Sequence, residues 1–147
     1  MPPDDREGYA RVHAMTAVPI AAGETEFSLF GFRELIERRL IDVVQPDAAR
    51  CGGITGMRQV ATLAYAHNLA FAPHTGFSGG ISQLAALHAA AAAPALSTFE
   101  YMFIDNPVRE MFTQPYPKPR AGLLAVPDGP GLGMSVDPER VRAMIAS

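Results

Sequence analysis

Apolar and polar positions fall into two kinds of block along this chain. Short apolar runs end at a polar residue, and longer stretches repeat apolar residues every three or four positions. Val18-Pro19-Ile20-Ala21-Ala22 passes through Gly23 to Glu24, and Ile41-Asp42-Val43-Val44-Gln45 passes through Pro46 to Asp47. Leu69-Ala70-Phe71-Ala72 passes through Pro73 to His74, and Ser97-Thr98-Phe99 ends at Glu100. Apolar runs of this length bounded by glycine and proline predict buried strands. Between them, Leu29, Phe32, Leu35, Ile36 and Leu40 recur near helical period, with Glu34, Glu37, Arg38 and Arg39 on the other side. Ile54, Met57, Val60, Ala61 and Ala64 predict a further helix ending near His67-Asn68. Ile81, Leu84, Ala85, Leu87 and Ala91 predict an alanine-rich one. Ahead of all these, a short helix is expected from Asp4 to about Met15. Asp4 and Glu7 would be its capping pair, and Tyr9, Val12, Ala14 and Met15 its buried stripe.

Beyond Glu100 the pattern changes. Asn106-Pro107 and then Pro115, Pro117 and Pro119 predict a long irregular connection. Leu123-Leu124-Ala125-Val126 reads as a short strand, and Pro127 to Gly133 as a turn-rich stretch. A last helix is expected over Pro138–Ile145 with Asp137 as its cap.

Alternating strands and helices imply a parallel sheet covered on both faces. Glu24, Asp47, His74 and Glu100 stand 23, 27 and 26 residues apart, about one strand–helix unit each time. At that spacing, successive parallel strands deliver their ends to one rim. A barrel distributes site residues over many strand ends, whereas a doubly wound sheet concentrates them at one switch point, so the pattern favours a barrel. A closed barrel takes about 250 residues, and this chain has 147, so an arc with two open edge strands is expected. Open edges invite self-association.

Composition narrows the class. With 48% apolar and 18% charged residues the chain can bury a core. The net charge is −3, Lys118 is the single lysine and the arginines are scattered, so no basic stripe offers itself to nucleic acid. The most apolar stretch, Leu84 to Leu96, contains His88 and is broken by Pro94, so it is too short for a bilayer crossing. The first residues have neither the basic start nor the apolar core of a signal peptide. The lone cysteine, Cys51, permits no internal disulfide, and a soluble cytoplasmic protein is expected.

Two carboxylates, a histidine and a third carboxylate on one rim look like a catalytic site. Each also has a plainer reading. Asp47 fits a turn or helix cap after proline, and a single histidine after proline is more often structural. The spacing of His74 from Asp47 is what joins them as a candidate pair. His13, His67 and His88 sit within helical patterns and are read as packing or surface residues. Cys51 reads as a small buried residue without an activated thiol. Arg50 reads as structural, and the phenylalanines and methionines as core formers.

Five motifs in order resemble one family. They are Pro19-Ile20-Ala21-Ala22-Gly23-Glu24, then Gln45-Pro46-Asp47 with Arg50 and Gly52-Gly53-Ile54-Thr55, then Pro73-His74, Phe99-Glu100-Tyr101, and Val126 to Gly133. Together they resemble the C-terminal part of the mandelate racemase and muconate-lactonising branch of the enolase superfamily, over essentially the whole chain. The resemblance implies a partial TIM-type (β/α)7β barrel, about strands five to eight with their helices. Residues 1–121 would form that half-barrel, and residues 122–147 would return to a capping domain. It also implies a Mg2+ ion, a small carboxylate substrate (a sugar acid or a 2-hydroxy acid), and abstraction of the proton next to that carboxylate.

In the resemblance Glu24 matches a metal-binding acid, and Asp47 with His74 the aspartate–histidine dyad of the racemase-like subgroup. Glu100 matches the acid that contacts the substrate carboxylate. The family's other two metal ligands and its Lys-x-Lys motif have no counterpart here, so a truncated member is expected. Sugar-acid dehydration is the favoured parent reaction. A 2-hydroxy-acid racemase or epimerase is the alternative within enzymes, and a non-catalytic fragment or interaction module the alternative outside them.

Overall fold

The computed structural model describes residues 1–146. In chain order the elements are α1 (Arg6–Met15), β1 (Ala21–Ala22), α2 (Leu29–Glu37), β2 (Val43–Val44), α3 (Gly53–Ala66), β3 (Ala70–Phe71), α4 (Gly80–Ala91), a 3-10 helix (Pro107–Met111) and α5 (Pro138–Ala146). The strands form one parallel sheet in the order β1-β2-β3, with Ala21 opposite Val43 and Val43 opposite Ala70. Residues 95–97 add a fourth stave. The Phe71 N–H donates to the Ala95 carbonyl and the Ser97 N–H to the Phe71 carbonyl, both at 2.9 Å. Every step along the chain moves to the next neighbour in the same direction, which is how a barrel wall grows. The expected arc of a parallel α/β barrel is therefore present, four staves wide.

The strands are shorter than the apolar runs that predicted them. Pro19, Pro46 and Pro73 have no N–H and interrupt the ladder. Pairing still extends beyond the named strands: the Asp42 and Val43 N–H groups both reach the Ile20 carbonyl, at 2.8 and 3.1 Å.

The helices cover one side of this wall. Phe32, Leu35 and Ile36 from α2, then Leu40 and Ile41, pack with Val44 and Phe71 of the sheet and with Met57, Val60, Ala61 and Ala64 of α3. Ala86 and Ala89 bring α4 into the same cluster, and small side chains let the α3 and α4 backbones approach closely. Gly52 and Gly53, at φ +93° and +69°, make the turn from β2 into α3 in a conformation that a Cβ disfavours. Leu84, Met111 and Phe112 seed a second cluster that gathers Tyr116, Leu132, Met134, Val141 and Met144. The C-terminal segment thus lies against α4. It is held there by the Arg140 guanidinium donating to the Phe112 carbonyl at 2.7 Å and by the His88 ring 3.1 Å from the Leu132 carbonyl. The Tyr116 hydroxyl has one hydrogen to share between two acceptors, the Gly80 carbonyl at 3.0 Å and Gln83 Oε1 at 2.9 Å, and burial pushes its pKa above the usual phenol range. No helix among the described residues is long and apolar enough to cross a membrane.

Four local expectations are corrected. The α1 cap is Asp5, which accepts from the Gly8 N–H at 2.8 Å; Glu7 turns away to pair with Arg38. Val12 and Met15 are exposed, because α1 meets the core through Tyr9 and Ala10 instead. Residues 123–126 form no strand; Leu123 makes one antiparallel bridge to Arg120. The proline-rich connection contains the 3-10 helix, started by Asn106, whose side chain accepts from the Val108 N–H, with Pro107 preset for the first turn.

Asp42 ties α1 to the sheet. Its Oδ2 accepts from the Ile20 N–H at 2.8 Å, and its Oδ1 lies 3.1 Å from His13 Nε2. The Ile20 amide, and after it His13, hold this carboxyl below its usual pKa. A depressed carboxyl contributes stability that is present above the unfolded pKa and lost as pH falls through the folded one. Because Asp42 is partly solvated, Asp42→Ala is expected to cost only about 1 kcal/mol at pH 7. Denaturant titrations should find that cost constant down to about pH 4 and shrinking below it; a cost independent of pH throughout would contradict this account.

Candidate active site

Parallel pairing continues past the ends of β2 and β3, so that Asp47 and His74 are themselves bridge partners. The His74 N–H donates to the Pro46 carbonyl at 3.0 Å, which fixes the register there. Two adjacent staves thereby present these side chains at one level on one rim. Asp47 is 4% exposed. Its Oδ1 accepts from the Ala49 N–H at 2.7 Å and its Oδ2 lies 2.9 Å from His74 Nδ1. One oxygen of Asp47 thus makes a local turn contact and the other meets the histidine of the next stave. An ionised carboxylate only accepts, so Nδ1 carries hydrogen and the ring is held in one orientation.

The other ring nitrogen faces a second carboxylate. Glu24, arriving from the loop after β1, places Oε2 2.9 Å from His74 Nε2, and its side chain is 56% exposed. A contact this short needs a hydrogen on one of the two atoms, so one exchangeable proton lies between them. Glu100 joins through the residue after the histidine. Its Oε2 accepts from the Thr75 N–H at 2.9 Å, while Thr75 Oγ1 donates to the Glu100 carbonyl at 2.8 Å. All four residues expected on one rim are brought together, three by direct side-chain contact and Glu100 through Thr75.

Thr75 was missed in the sequence because nothing about a threonine after a histidine marks it; its contact partner lies 25 residues away. A second feature did have a signal. Phe27, Phe77 and Phe103 are 70%, 80% and 81% exposed, against the expectation that the phenylalanines form the core. Each follows Glu24, His74 or Glu100 by three residues, which puts all three in rim loops. The corresponding position after Asp47 is Arg50, whose guanidinium carbon sits 6.0 Å from the centre of the Phe27 ring. A cavity of about 1590 Å³ lies elsewhere. It is lined by Tyr101, Arg109, Phe112, Tyr116, Lys118 and Arg140 among others, and by none of the four rim residues.

The metal that the family resemblance implies can be tested against this donor set. Magnesium takes oxygen ligands in octahedral geometry. Here Asp47 is committed to His74 and the Ala49 amide, one oxygen of Glu100 to Thr75, and Glu24, though 56% exposed, already faces His74 Nε2. No group of three or more His, Cys, Asp or Glu among the described residues could hold a metal ion. The residues present do not by themselves make a magnesium site.

Residues 1–141 match the family model described as enolase C-terminal domain-like, which serves the mandelate racemase and muconate-lactonising proteins. This chain belongs to the enolase superfamily. Among its relatives, D-galactarolactone cycloisomerase of Agrobacterium fabrum is 32% identical over 143 residues, covering 92% of this chain and 38% of that protein. D-xylonate dehydratase of Haloferax volcanii is also 32% identical over 143 residues, covering 97% of this chain and 34% of that protein. A crystal structure of an enolase from Pantoea ananatis with bound D-gluconate and Mg superposes with a TM-score of 0.86 at 26% identity, covering 97% of this chain and 34% of that one. The chain thus spans little more than a third of the length of these superfamily members.

Cys51 lies next to the site without belonging to its chemistry. It is 5% exposed, and burial, reinforced by the Asp47 charge, pushes its thiol up to about 11. Two decades above an ordinary thiol imply roughly a hundredfold less thiolate near pH 8. Reaction with a disulfide reagent such as DTNB should therefore be at least about a hundredfold slower in the native chain than in the urea-unfolded chain; comparable rates would show that Cys51 is open.

Proposed function

We propose that this chain supplies the acid–base face of a sugar-acid dehydratase. The observation that carries the reading is an imidazole pinned by a buried carboxylate at Nδ1, with its Nε2 at the open rim. Dehydration removes a proton from the carbon next to the substrate carboxylate and gives a proton to the hydroxyl departing from the next carbon. Water leaves, and the resulting enol becomes a keto acid. His74 takes the first proton or delivers the second, from the one ring position whose proton can exchange with a ligand. Asp47 is a positioning residue that holds the tautomer and offsets the charge of the protonated ring. Glu100, steadied by Thr75, is assigned to the carboxylate end of the substrate. Glu24 is assigned to the metal-binding set of the assembled enzyme, and in this chain it is the proton partner of Nε2.

The substrate class rests on the company the chain keeps: its relatives are named for galactarolactone and xylonate, and its structural neighbour holds gluconate. Racemisation, the alternative, would need a second base on the opposite face of the carbon; dehydration is preferred because a relative matched over 97% of this chain is named a dehydratase. The domain reading belongs here too: residues 1–121 as barrel wall, 122–147 as the segment facing a capping domain.

The test is a fusion that places this chain behind the first two-thirds of the D-xylonate dehydratase relative. Aldonic and aldaric acids in D2O with Mg2+ should lose the proton next to the carboxylate and yield keto acids. His74→Ala should lower the rate about 10³-fold and Asp47→Ala about 10²-fold or more. The chain alone should give no turnover. Turnover by the chain alone, or a fusion indifferent to His74, would overturn the assignment.

The uncovered strand edges, at β1 and at residues 95–97, should drive self-association. Sedimentation velocity at micromolar concentration is expected to find species heavier than the 15.7 kDa monomer; a single monomeric boundary would count against it.

A further inference from the structure

Two residues beyond His74, Gly76 holds φ +32°, within the left-handed region. A Cβ placed on it would meet the histidine ring: 2.4 Å from Cε1, 3.0 Å from Nε2 and 3.3 Å from Nδ1. Ordinary contact between carbons is about 3.5–4.0 Å. Cε1 is the atom between the two ring nitrogens, so pushing it aside moves both nitrogens at once.

Neither partner has room to retreat. The ring is fixed by Asp47, which is buried and itself fixed by the Ala49 amide. The backbone ahead of Gly76 is fixed by Thr75, which is 1% exposed, makes two hydrogen bonds to Glu100 and accepts one from the Ser78 hydroxyl.

We propose that Gly76 is a positioning residue, its missing side chain leaving the space in which the His74 ring faces Asp47 and Glu24 at the same time. The importance of this for catalysis rests on the function proposed above; the seating of the ring does not. Other glycines of the loop have no such duty. Gly79 has φ −65°, and a Cβ there would meet only Val108 Cγ1, at 3.3 Å.

The experiment uses the full chain labelled with 15N and reads the His74 ring nitrogens by long-range 1H–15N correlation, assigned by their loss in His74→Ala. The wild type should show Nδ1 as the hydrogen-bearing nitrogen paired with Asp47. Gly76→Ala should move both nitrogen signals and expose Nδ1 to faster solvent exchange, whereas Gly79→Ala should leave them in place. Ring signals unchanged by Gly76→Ala would overturn the proposal.

Should Gly76→Ala unfold the chain at room temperature, denaturant titrations in the cold on the same variants decide it. The shift in unfolding midpoint caused by Gly76→Ala should be at least halved in a His74→Ala background, where the obstructing ring is gone and only the strain of the left-handed backbone remains. An equal shift in both backgrounds would overturn the proposal. Because these readouts need no turnover, failure of the dehydratase assay and failure of the ring seat are told apart.

Discussion

Parallel pairing between β2 and β3, carried three residues beyond each strand, sets Asp47 against His74, and the rest of the site depends on that bridge. Parallel neighbours keep the same direction and register, so residues leaving them at the same level point from the same rim. The pairing is secured from behind by Val44, Phe71 and the α2 and α3 side chains packed against them in one buried apolar cluster. Sliding either strand by one residue would turn its whole apolar set away from this core. The 2.9 Å contact between the imidazole and its carboxylate is therefore maintained by hydrophobic packing several residues away.

A second layer of constraint runs through the residues just after the histidine. Thr75 carries Glu100 on its amide and hydroxyl, and Gly76 gives way to the ring. Three consecutive residues thus serve three functions: the imidazole itself, the link to the neighbouring stave and the room for the ring. Such a loop tolerates little, since the backbone bonds that satisfy Glu100 also fix where a side chain at position 76 would project.

The donor set explains why this chain reads as part of a site. Its carboxylates are mostly spent on holding one histidine, which suits proton transfer and leaves too few oxygen ligands for a divalent ion. The chain also covers little more than a third of its relatives' length, and its wall ends in two strands with free edges. Both facts concern the same geometry, because a barrel site collects its residues from staves all around the wall.

What the sequence decided was most of what local period and spacing govern, the buried stripe of α1 and a strand at residues 123–126 being the exceptions. The repeats around Leu35, Val60 and Leu84 gave the helices, and the apolar runs gave the strands. The near-constant interval between Glu24, Asp47, His74 and Glu100 gave the common rim. The family motifs placed the chain in its superfamily. These are legible because helix and strand periodicities are written in consecutive residues. Contacts that hang on the path of a loop were not, whether their partners lie near or far in sequence. That Asp5 rather than Asp4 caps α1, that Phe27, Phe77 and Phe103 face solvent, that Glu24 closes on Nε2 and that Gly76 lies against the ring all depend on the paths of loops. A loop's path is fixed by which distant backbone groups it must satisfy and which side chains it must avoid, and only the folded chain brings those together.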